Sequence, residues 1–116
     1  DVTGSAGSKT TEGESLVPLF QGDRMKKRPL FWHYPHYSNQ GAWPGSAIRL
    51  GRYKLVDNFE KGRQELYDLE TDLSETKDIS TAMPAKTRKL YKLLVEWREE
   101  HNAQMMIPNP AWNDKP

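Results

Sequence analysis

The sequence lacks several features that would point directly to a function. It has no cysteine among its 116 residues, which excludes disulfide bonds, thiolate metal sites and a cysteine nucleophile within the chain. An excess of one charge is also missing, because 17 basic and 16 acidic residues leave a net charge of +1. This balance gives no general attraction to nucleic acid or to an anionic membrane. The apolar runs are too short to predict a membrane span.

Aromatic residues, by contrast, are plentiful. Three Phe, four Trp and five Tyr are too many for a disordered protein, although hydrophobic residues make up only 35% of the chain. The length predicts one domain with a thin core, or part of a larger protein. The first residue is Asp1 and not Met, so we expect a piece of a longer chain. The lack of cysteine leaves the compartment open, since exported bacterial proteins often lack it too.

The middle of the chain predicts short antiparallel strands. Residues 29–34 (PLFWHY) are dense in strand formers. Because both of their faces carry large side chains, we expect a strand that is buried on both sides or that ends in a pocket. Residues 46–50 and 53–57 flank Gly51-Arg52, which indicates a hairpin. Residues 65–69 alternate in polarity and predict a further strand.

Helical patterns lie on either side of these strands. Residues 15–20 form a short apolar run broken by Pro18, which fits a helical turn or an extended piece. Pro84 begins a predicted helix over residues 84–101. Its apolar stripe, spaced at i, i+3, i+4 and i+7, consists of Leu90, Leu93, Leu94 and Trp97. A small antiparallel sheet of about four strands with one C-terminal helix packed on it is an α+β fold.

The segment from His33 to His36 (HYPH) has the highest density of chemically useful side chains. A metal site there is disfavoured, because Pro35 opposes a helix and residues 33 and 36 of an extended strand point to opposite faces. No acidic residue stands nearby as a third ligand. Two interpretations stay open: packed, hydrogen-bonded aromatics at a strand end, or a polar substrate pocket whose aromatic faces stack on sugars.

Two basic features have a structural and a functional interpretation each. The cationic run of residues 24–28 is either solvated surface, which we favour, or an anion contact. Arg49 lies within a predicted strand, where it is either exposed by alternation or held in an ion pair. We favour the ion pair, because no phosphate-binding loop or helix start lies beside it.

Four segments together resemble the C-terminal part of the type I, formylglycine-dependent sulfatases. Residues 13–22 (GESLVPLFQG) and 28–36 (RPLFWHYPH) are similar to the family patterns D-G-x-S-L-x-P-L-L-x-G and R-x-L-x-W-H-x-P. Residues 46–55 (SAIRLGRYKL) and 65–75 (ELYDLETDLSE) are similar to S-A-I-R-x-G-D-W-K-L and E-L-Y-D-L-x-x-D-P-x-E. The resemblance covers about residues 12–101 and is to bacterial arylsulfatases and N-acetylgalactosamine-6-sulfatases.

The resemblance implies a domain organisation and a partner. Residues 1–22 would be the end of a preceding catalytic domain or a linker, residues 23–101 the sulfatase C-terminal subdomain, and residues 102–116 an extended C-terminal tail. The subdomain would dock on the N-terminal catalytic domain and shape the substrate cleft. The substrate of the parent enzyme would be a sulfated carbohydrate or an aryl sulfate ester, and a periplasmic or secreted parent is implied.

The resemblance also implies which chemistry lies elsewhere. The family's nucleophile belongs to a Cys- or Ser-x-Pro-x-Arg motif, which this sequence lacks. Calcium and formylglycine are implied for the parent enzyme and neither for this part of it, so the chain alone is predicted to be inactive. We therefore predict no catalytic and no metal-binding residue within it.

The remaining candidates are residues that bind the organic part of a substrate. Because Pro35 ends the strand, His36 and Tyr37 can project from the end of the sheet, with His33 and Tyr34 just inside as supports. The alternative for His36 is a hydrogen bond to a backbone carbonyl of its own loop. Two other functions stay open: a purely structural interaction domain, and a free-standing carbohydrate-binding module that uses Trp32, Tyr34, Tyr37 and Trp43.

Overall fold

A computed structural model describes residues 13–111 of the chain. Four strands form one antiparallel sheet in the order β1-β2-β3-β4, and a long helix packs on it. The elements are α1 (Val17–Phe20), β1 (Leu30–Tyr34), β2 (Gly45–Leu50), β3 (Tyr53–Asn58), β4 (Arg63–Asp68) and α2 (Pro84–Glu100). This arrangement confirms the predicted α+β fold. The outer parts of the predicted first and last segments, including Trp112, lie outside the described residues.

A tight turn connects β2 to β3 and sets their register. β2 and β3 pair from Gly45 opposite Asn58 to Leu50 opposite Tyr53. Gly51 in the turn between them has a φ of +63°, a conformation that glycine adopts without the steric cost that other residues meet. The hairpin signal in the sequence is therefore confirmed at this position.

The core lies between the sheet and α2. Five apolar side chains, one from each of three strands and two from the helix, are almost fully buried: Ile48, Leu55, Leu66, Leu90 and Leu94. At the edge of this core, Phe31 of β1 stacks on Trp97 of α2 with ring centroids 4.8 Å apart. The predicted helical stripe therefore does face the sheet, with Leu93 and Trp97 half-buried at its margin.

A buried ion pair also joins α2 to the sheet. Arg98 donates from a terminal nitrogen to Oδ2 of Asp57 at 2.8 Å, and their side chains are only 10% and 8% exposed. Gln64 donates to the other carboxylate oxygen of Asp57 at 2.8 Å. The guanidinium of Arg98 also lies over the rings of Phe59 and Tyr91. Desolvation of both charges is thus compensated by hydrogen bonds and ring contacts.

The other side of the sheet carries no helix of the described chain. β1 is an edge strand whose residues alternate between exposed and half-buried. Trp32 and Tyr34 are 50% and 51% exposed on this side. The expectation that β1 is buried on both sides is therefore wrong within the described chain, because the strand borders only β2 and α2 covers only one face. We call this second side, which carries Trp32, Tyr34, Lys54, Val56 and Tyr67, the open face.

The prediction for Arg49 differs from the structure. Among the described residues Arg49 forms no ion pair, and its exposed side chain donates to the carbonyl oxygen of Gly51 at 3.3 Å. The favoured ion pair is therefore wrong, and the alternative, exposure by strand alternation, is observed.

Asp72 caps a turn after β4. Its carboxylate accepts hydrogen bonds from the backbone amides of Thr76 and Lys77 at 2.9 Å and 2.8 Å. The chain does not continue as a helix there, because Glu75 takes a left-handed φ of +54°.

After α2 the chain reverses at Asn102, which has a φ of +46°. It then continues toward the end of β1. None of the helices in residues 13–111 is long and apolar enough to cross a membrane.

Candidate functional site

The four predicted site residues at the end of β1 lie in three different environments. Successive strand side chains point to opposite faces of a sheet. His33 therefore lies on the side of α2, whereas Tyr34 lies on the open face. Pro35 ends the strand, and His36 and Tyr37 follow in the loop. The four residues are neighbours in the sequence, but they lie on two faces of the sheet and in the loop that follows β1.

His33 is bonded at both ring nitrogens. Its Nδ1 lies 2.7 Å from the hydroxyl oxygen of Ser46, and its Nε2 lies 2.7 Å from the carbonyl oxygen of Gln104. Ser46 is the direct partner of His33 across the β1–β2 ladder. Both ring nitrogens of His33 are thus used by hydrogen bonds within the protein.

His36 and Tyr37 line a pocket of about 770 Å³, which we call the strand-end pocket. One wall consists of Pro35, His36 and Tyr37, and the other of the segment from Gln104 to Asn109. The ring of His36 meets the ring of Tyr34 edge-on, with centroids 5.5 Å apart. In the described part of the chain His36 makes no hydrogen bond to a loop carbonyl, so that alternative is not observed there.

The chemistry of the strand-end pocket is that of a binding site for an uncharged group. Its described lining includes imidazole, phenol and amide groups that donate or accept hydrogen bonds. Met105, Met106 and Ile107 supply apolar surface. Among the residues that the structure describes, none that lines the pocket is Lys, Arg, Asp or Glu. Few polar groups on a largely apolar wall are typical of sites that orient a small molecule.

A second cavity, of about 280 Å³, lies on the open face. We call it the aromatic cavity. Its aromatic lining consists of Trp32, Tyr34, Trp43 and Tyr67. Three of the four aromatics named for a carbohydrate-binding module are therefore brought together, while Tyr37 belongs to the strand-end pocket.

Trp43 reaches the aromatic cavity because β2 begins with glycine. A Cβ atom at Gly45 would lie 2.7 Å from the Trp43 ring and 2.8 Å from the carbonyl oxygen of Asp57. Both distances are shorter than real contacts, so only glycine lets the indole lie flat against the strand at this point. Trp43 thus packs onto the start of β2.

Polar groups at the floor of the aromatic cavity are paired with one another. Lys54 and Glu75 form an ion pair of 2.6 Å. The Tyr67 hydroxyl donates to Glu65 at 2.9 Å, and Arg63 donates to the other carboxylate oxygen at 2.7 Å. Burial, and then the hydrogen bond to Glu65, raise the pKa of Tyr67 to about 12. Burial opposes ionisation of Glu65, but hydrogen bonds from Arg63 and Tyr67 outweigh it and lower the pKa of Glu65.

The described residues offer no metal centre. Within residues 13–111, no three His, Cys, Asp or Glu side chains lie close enough together to hold a metal ion.

Sequence reasoning missed the far wall of the strand-end pocket and the polar floor of the aromatic cavity. The sequence predicted residues 102–116 as an extended tail, without indicating that residues 104–109 border the end of β1. Lys54 and Glu75 are 21 positions apart in the chain, and no local pattern links them.

Comparisons with known proteins place these features in a family. A family model described as N-sulphoglucosamine sulphohydrolase, C-terminal, matches residues 1–104. A Delta 4,5-hexuronate-2-O-sulfatase of Bacteroides thetaiotaomicron is 33% identical over 104 residues, which cover 84% of this chain and 20% of that protein. A sulfatase of Formosa agariphila is 30% identical over 114 residues, with coverage of 87% and 20%. The chain thus spans about one fifth of the length of these curated relatives.

A solved structure has the same fold. It is that of a protein in complex with its substrate D-glucosamine-2-N,6-O-disulfate, and it superposes with a TM-score of 0.68 at 22% sequence identity. The match covers 85% of this chain and 22% of that one. At this level of identity the likeness concerns the fold alone.

Proposed function

The chain belongs to the N-sulphoglucosamine sulphohydrolase C-terminal family, and from that premise we propose that it is the C-terminal subdomain of a longer sulfatase. The family match confirms the sulfatase resemblance drawn from the four sequence segments. We assign residues 1–22 to the end of the catalytic domain or a linker, residues 23–101 to the subdomain, and residues 102–116 to a C-terminal tail. The subdomain docks on the catalytic domain and shapes the substrate cleft.

The open face supports the docking role. A sheet buries its apolar side chains against another layer of structure, and α2 provides that layer on one side only. On the other side Leu30, Trp32 and Tyr34 form a row of exposed apolar side chains along β1. Such a row is typical of a surface that contacts another protein part. Since the relatives are about five times as long as this chain, the catalytic domain is the occupant that we propose.

The strand-end pocket is the single observation on which the proposed role in substrate binding rests. His36 and Tyr37 project from the end of β1, beside the row of exposed residues that would meet the catalytic domain. A pocket at that border would be completed by the docked domain. Names of the relatives refer to sulfated hexuronate and glucosamine, so we propose a sulfated carbohydrate as the substrate class.

The chemical step would take place in the catalytic domain. In the parent, formylglycine would supply the nucleophile for sulfate transfer and calcium would hold the sulfate group. The described residues of this chain present no calcium ligand set. Its contribution is to bind the organic part of the ester, and contacts remote from the reacting centre can raise turnover when they strengthen in the transition state.

Reconstitution from two polypeptides tests this proposal. The 116-residue chain alone is expected to show no hydrolysis of 4-nitrophenyl sulfate with added calcium. The remainder of the full-length protein, expressed separately, should bind the chain and gain activity on sulfated sugars. Turnover by the chain alone, or full activity of the remainder without it, would contradict the proposal.

The aromatic cavity favours a second candidate, a carbohydrate-binding module. Trp32, Tyr34 and Trp43 surround one cavity, and aromatic rings stack on sugar faces. The two functions differ in what the open face contacts. Retarded migration of the chain in gels that contain a neutral polysaccharide, abolished by Trp32→Ala, would favour the module. Unchanged migration, together with binding to the remainder, would favour docking.

A further inference from the structure

One side chain connects the C-terminal segment Gln104–Asn109 to the sheet. The carbonyl oxygen of Gln104 only accepts hydrogen bonds, so the Nε2 of His33 carries a proton and donates to it. In the neutral ring, Nδ1 then accepts from the hydroxyl of Ser46. The imidazole thus joins Ser46 of β2 to the segment, whose Gln104 lies 71 positions after His33 in the sequence.

Little else among the described contacts fixes this segment. Met105, Met106 and Ile107 are 50%, 41% and 88% exposed, so their burial contributes little to its position. Segments with few buried apolar contacts open at a low cost in free energy. The hydrogen bond from His33 therefore has a large influence on whether the second wall of the strand-end pocket is in place.

We propose that His33 is a positioning residue and that Gln104–Asn109 is a specificity-determining wall of the strand-end pocket. This inference rests on the proposed function and deepens it by naming the part of the substrate that binds there. The described lining has no permanently charged side chain, which does not suit a sulfate group. The pocket takes an uncharged, hydroxyl-bearing part of the sugar. Apolar wall atoms cover its C–H groups, and His36 and the backbone amides bond its hydroxyls.

Two amide variants in the full-length protein each keep one of the two hydrogen bonds of His33. In His33→Gln the side-chain amide nitrogen takes the place of Nε2, and the bond to Gln104 is retained. In His33→Asn the amide takes the place of Nδ1, and the bond to Gln104 is lost. His33→Gln and His33→Asn both replace the imidazole with a side-chain amide. They differ in length by one methylene group and in whether the hydrogen bond that anchors Gln104 is kept.

The first measurement is the rate of cleavage within Gln104–Asn109 by subtilisin, followed by mass spectrometry. Cleavage of a native protein follows the population of the locally open state. Loss of one hydrogen bond should raise this rate about fivefold in His33→Asn, and His33→Gln should match the wild type. Equal rates in all three proteins would overturn the positioning role.

The second measurement is substrate discrimination. With sulfated monosaccharides, including D-glucosamine-2-N,6-O-disulfate, His33→Asn should raise KM by up to about fivefold with little change in kcat. With 4-nitrophenyl sulfate, which has no sugar to fill the pocket, both constants should stay unchanged. Faster cleavage without a change in the KM for the sugars would overturn the role of the segment in specificity.

A variant in the wall itself tests the role of the wall even if the His33 variants do not fold. Met106→Ala removes an exposed side chain of the wall and leaves the hydrogen bond to Gln104 in place. It should raise the KM for the sugars without faster cleavage, and an unchanged KM would overturn the wall. If the wild-type protein hydrolyses no sulfate ester, the proposed function fails, and the cleavage rates still decide the role of His33.

Discussion

The two faces of the sheet differ in how far the chain itself completes them. The face under α2 has a core of five nearly fully buried apolar residues and a buried ion pair between Arg98 and Asp57. The open face has Trp32 and Tyr34 half exposed and a cavity bordered by paired charges. On the covered face the chain itself buries the apolar side chains, and on the open face it leaves the aromatic side chains of β1 half exposed.

This difference predicts which substitutions change the stability of the fold and which change binding. Substitutions on the covered face should act on the free energy of unfolding. Substitutions on the open face and at the strand end should act on docking and substrate binding, with smaller effects on folding. A substitution on the open face that mainly changes the free energy of unfolding, or one on the covered face that changes only binding, would show that the two faces do not have separate roles.

The largest effect is expected from the ion pair under α2. Arg98→Met leaves the carboxylate of Asp57 buried with only Gln64 as partner, and removal of one member of a buried pair costs about 3–5 kcal/mol. Denaturant titration measures the loss. The matched control is Lys92→Met, because the Lys92–Glu96 pair is exposed and should change stability by less than about 0.5 kcal/mol. Similar values for both variants would show that burial of the pair does not matter.

The next largest effect is expected from the apolar stripe of α2. Leu94 is fully buried against the sheet, so Leu94→Ala should lower the free energy of unfolding by about 2–4 kcal/mol. Glu99→Ala, on the exposed side of the same helix, is the control. A loss below about 0.5 kcal/mol for Leu94→Ala would contradict the packing of the helix on the sheet.

A smaller effect, on function and not on folding, is expected at the strand end. In the full-length protein that we propose to be a sulfatase, His36→Ala should lower kcat/KM for a sulfated sugar by about 10–100-fold, or about 1.4–2.7 kcal/mol. Activity on a small aryl sulfate should change much less, because that substrate lacks the sugar contacts. Equal losses on both substrates, or none on either, would assign His36 to the scaffold.

The smallest expected effect is a pH dependence of the free energy of unfolding. It arises at Asp72, in the loop that leads to Glu75 on the open face. Backbone hydrogen bonds from Lys77 and Thr76 lower the pKa of the Asp72 carboxyl. A lowered pKa in the folded state stabilises the fold above the unfolded-state pKa of about 3.9, and this contribution is lost as the pH falls through the folded-state pKa. Asp72→Asn should therefore be less stable than the wild type at neutral pH, and the difference should narrow below about pH 4. A difference that is constant with pH in acid titrations would exclude this charge effect.

The sheet and the helix could be predicted because their signals are local. Two-residue alternation and the spacing of Leu90 and Leu94 need only the neighbouring sequence. Exposure of β1 could not be predicted, because it depends on which strand occupies the edge of the sheet. Exposure of Arg49 by strand alternation was one of two open alternatives, and the local pattern did not decide between them. His36 and Tyr37 followed from their position after Pro35. The wall formed by Gln104–Asn109 depends on a contact across 71 positions, which no local pattern encodes.

The central claim, that the open face docks on the catalytic domain, is tested most directly by the affinity between the chain and the separately expressed remainder of the protein. Calorimetry would compare the wild type with Trp32→Asp on the open face and with Lys89→Asp on the exposed side of α2. We predict that Trp32→Asp weakens binding at least about 30-fold, as for an interface residue that contributes about 2 kcal/mol, and that Lys89→Asp has no effect. Unchanged binding by Trp32→Asp, or equal weakening by both variants, would contradict docking through the open face.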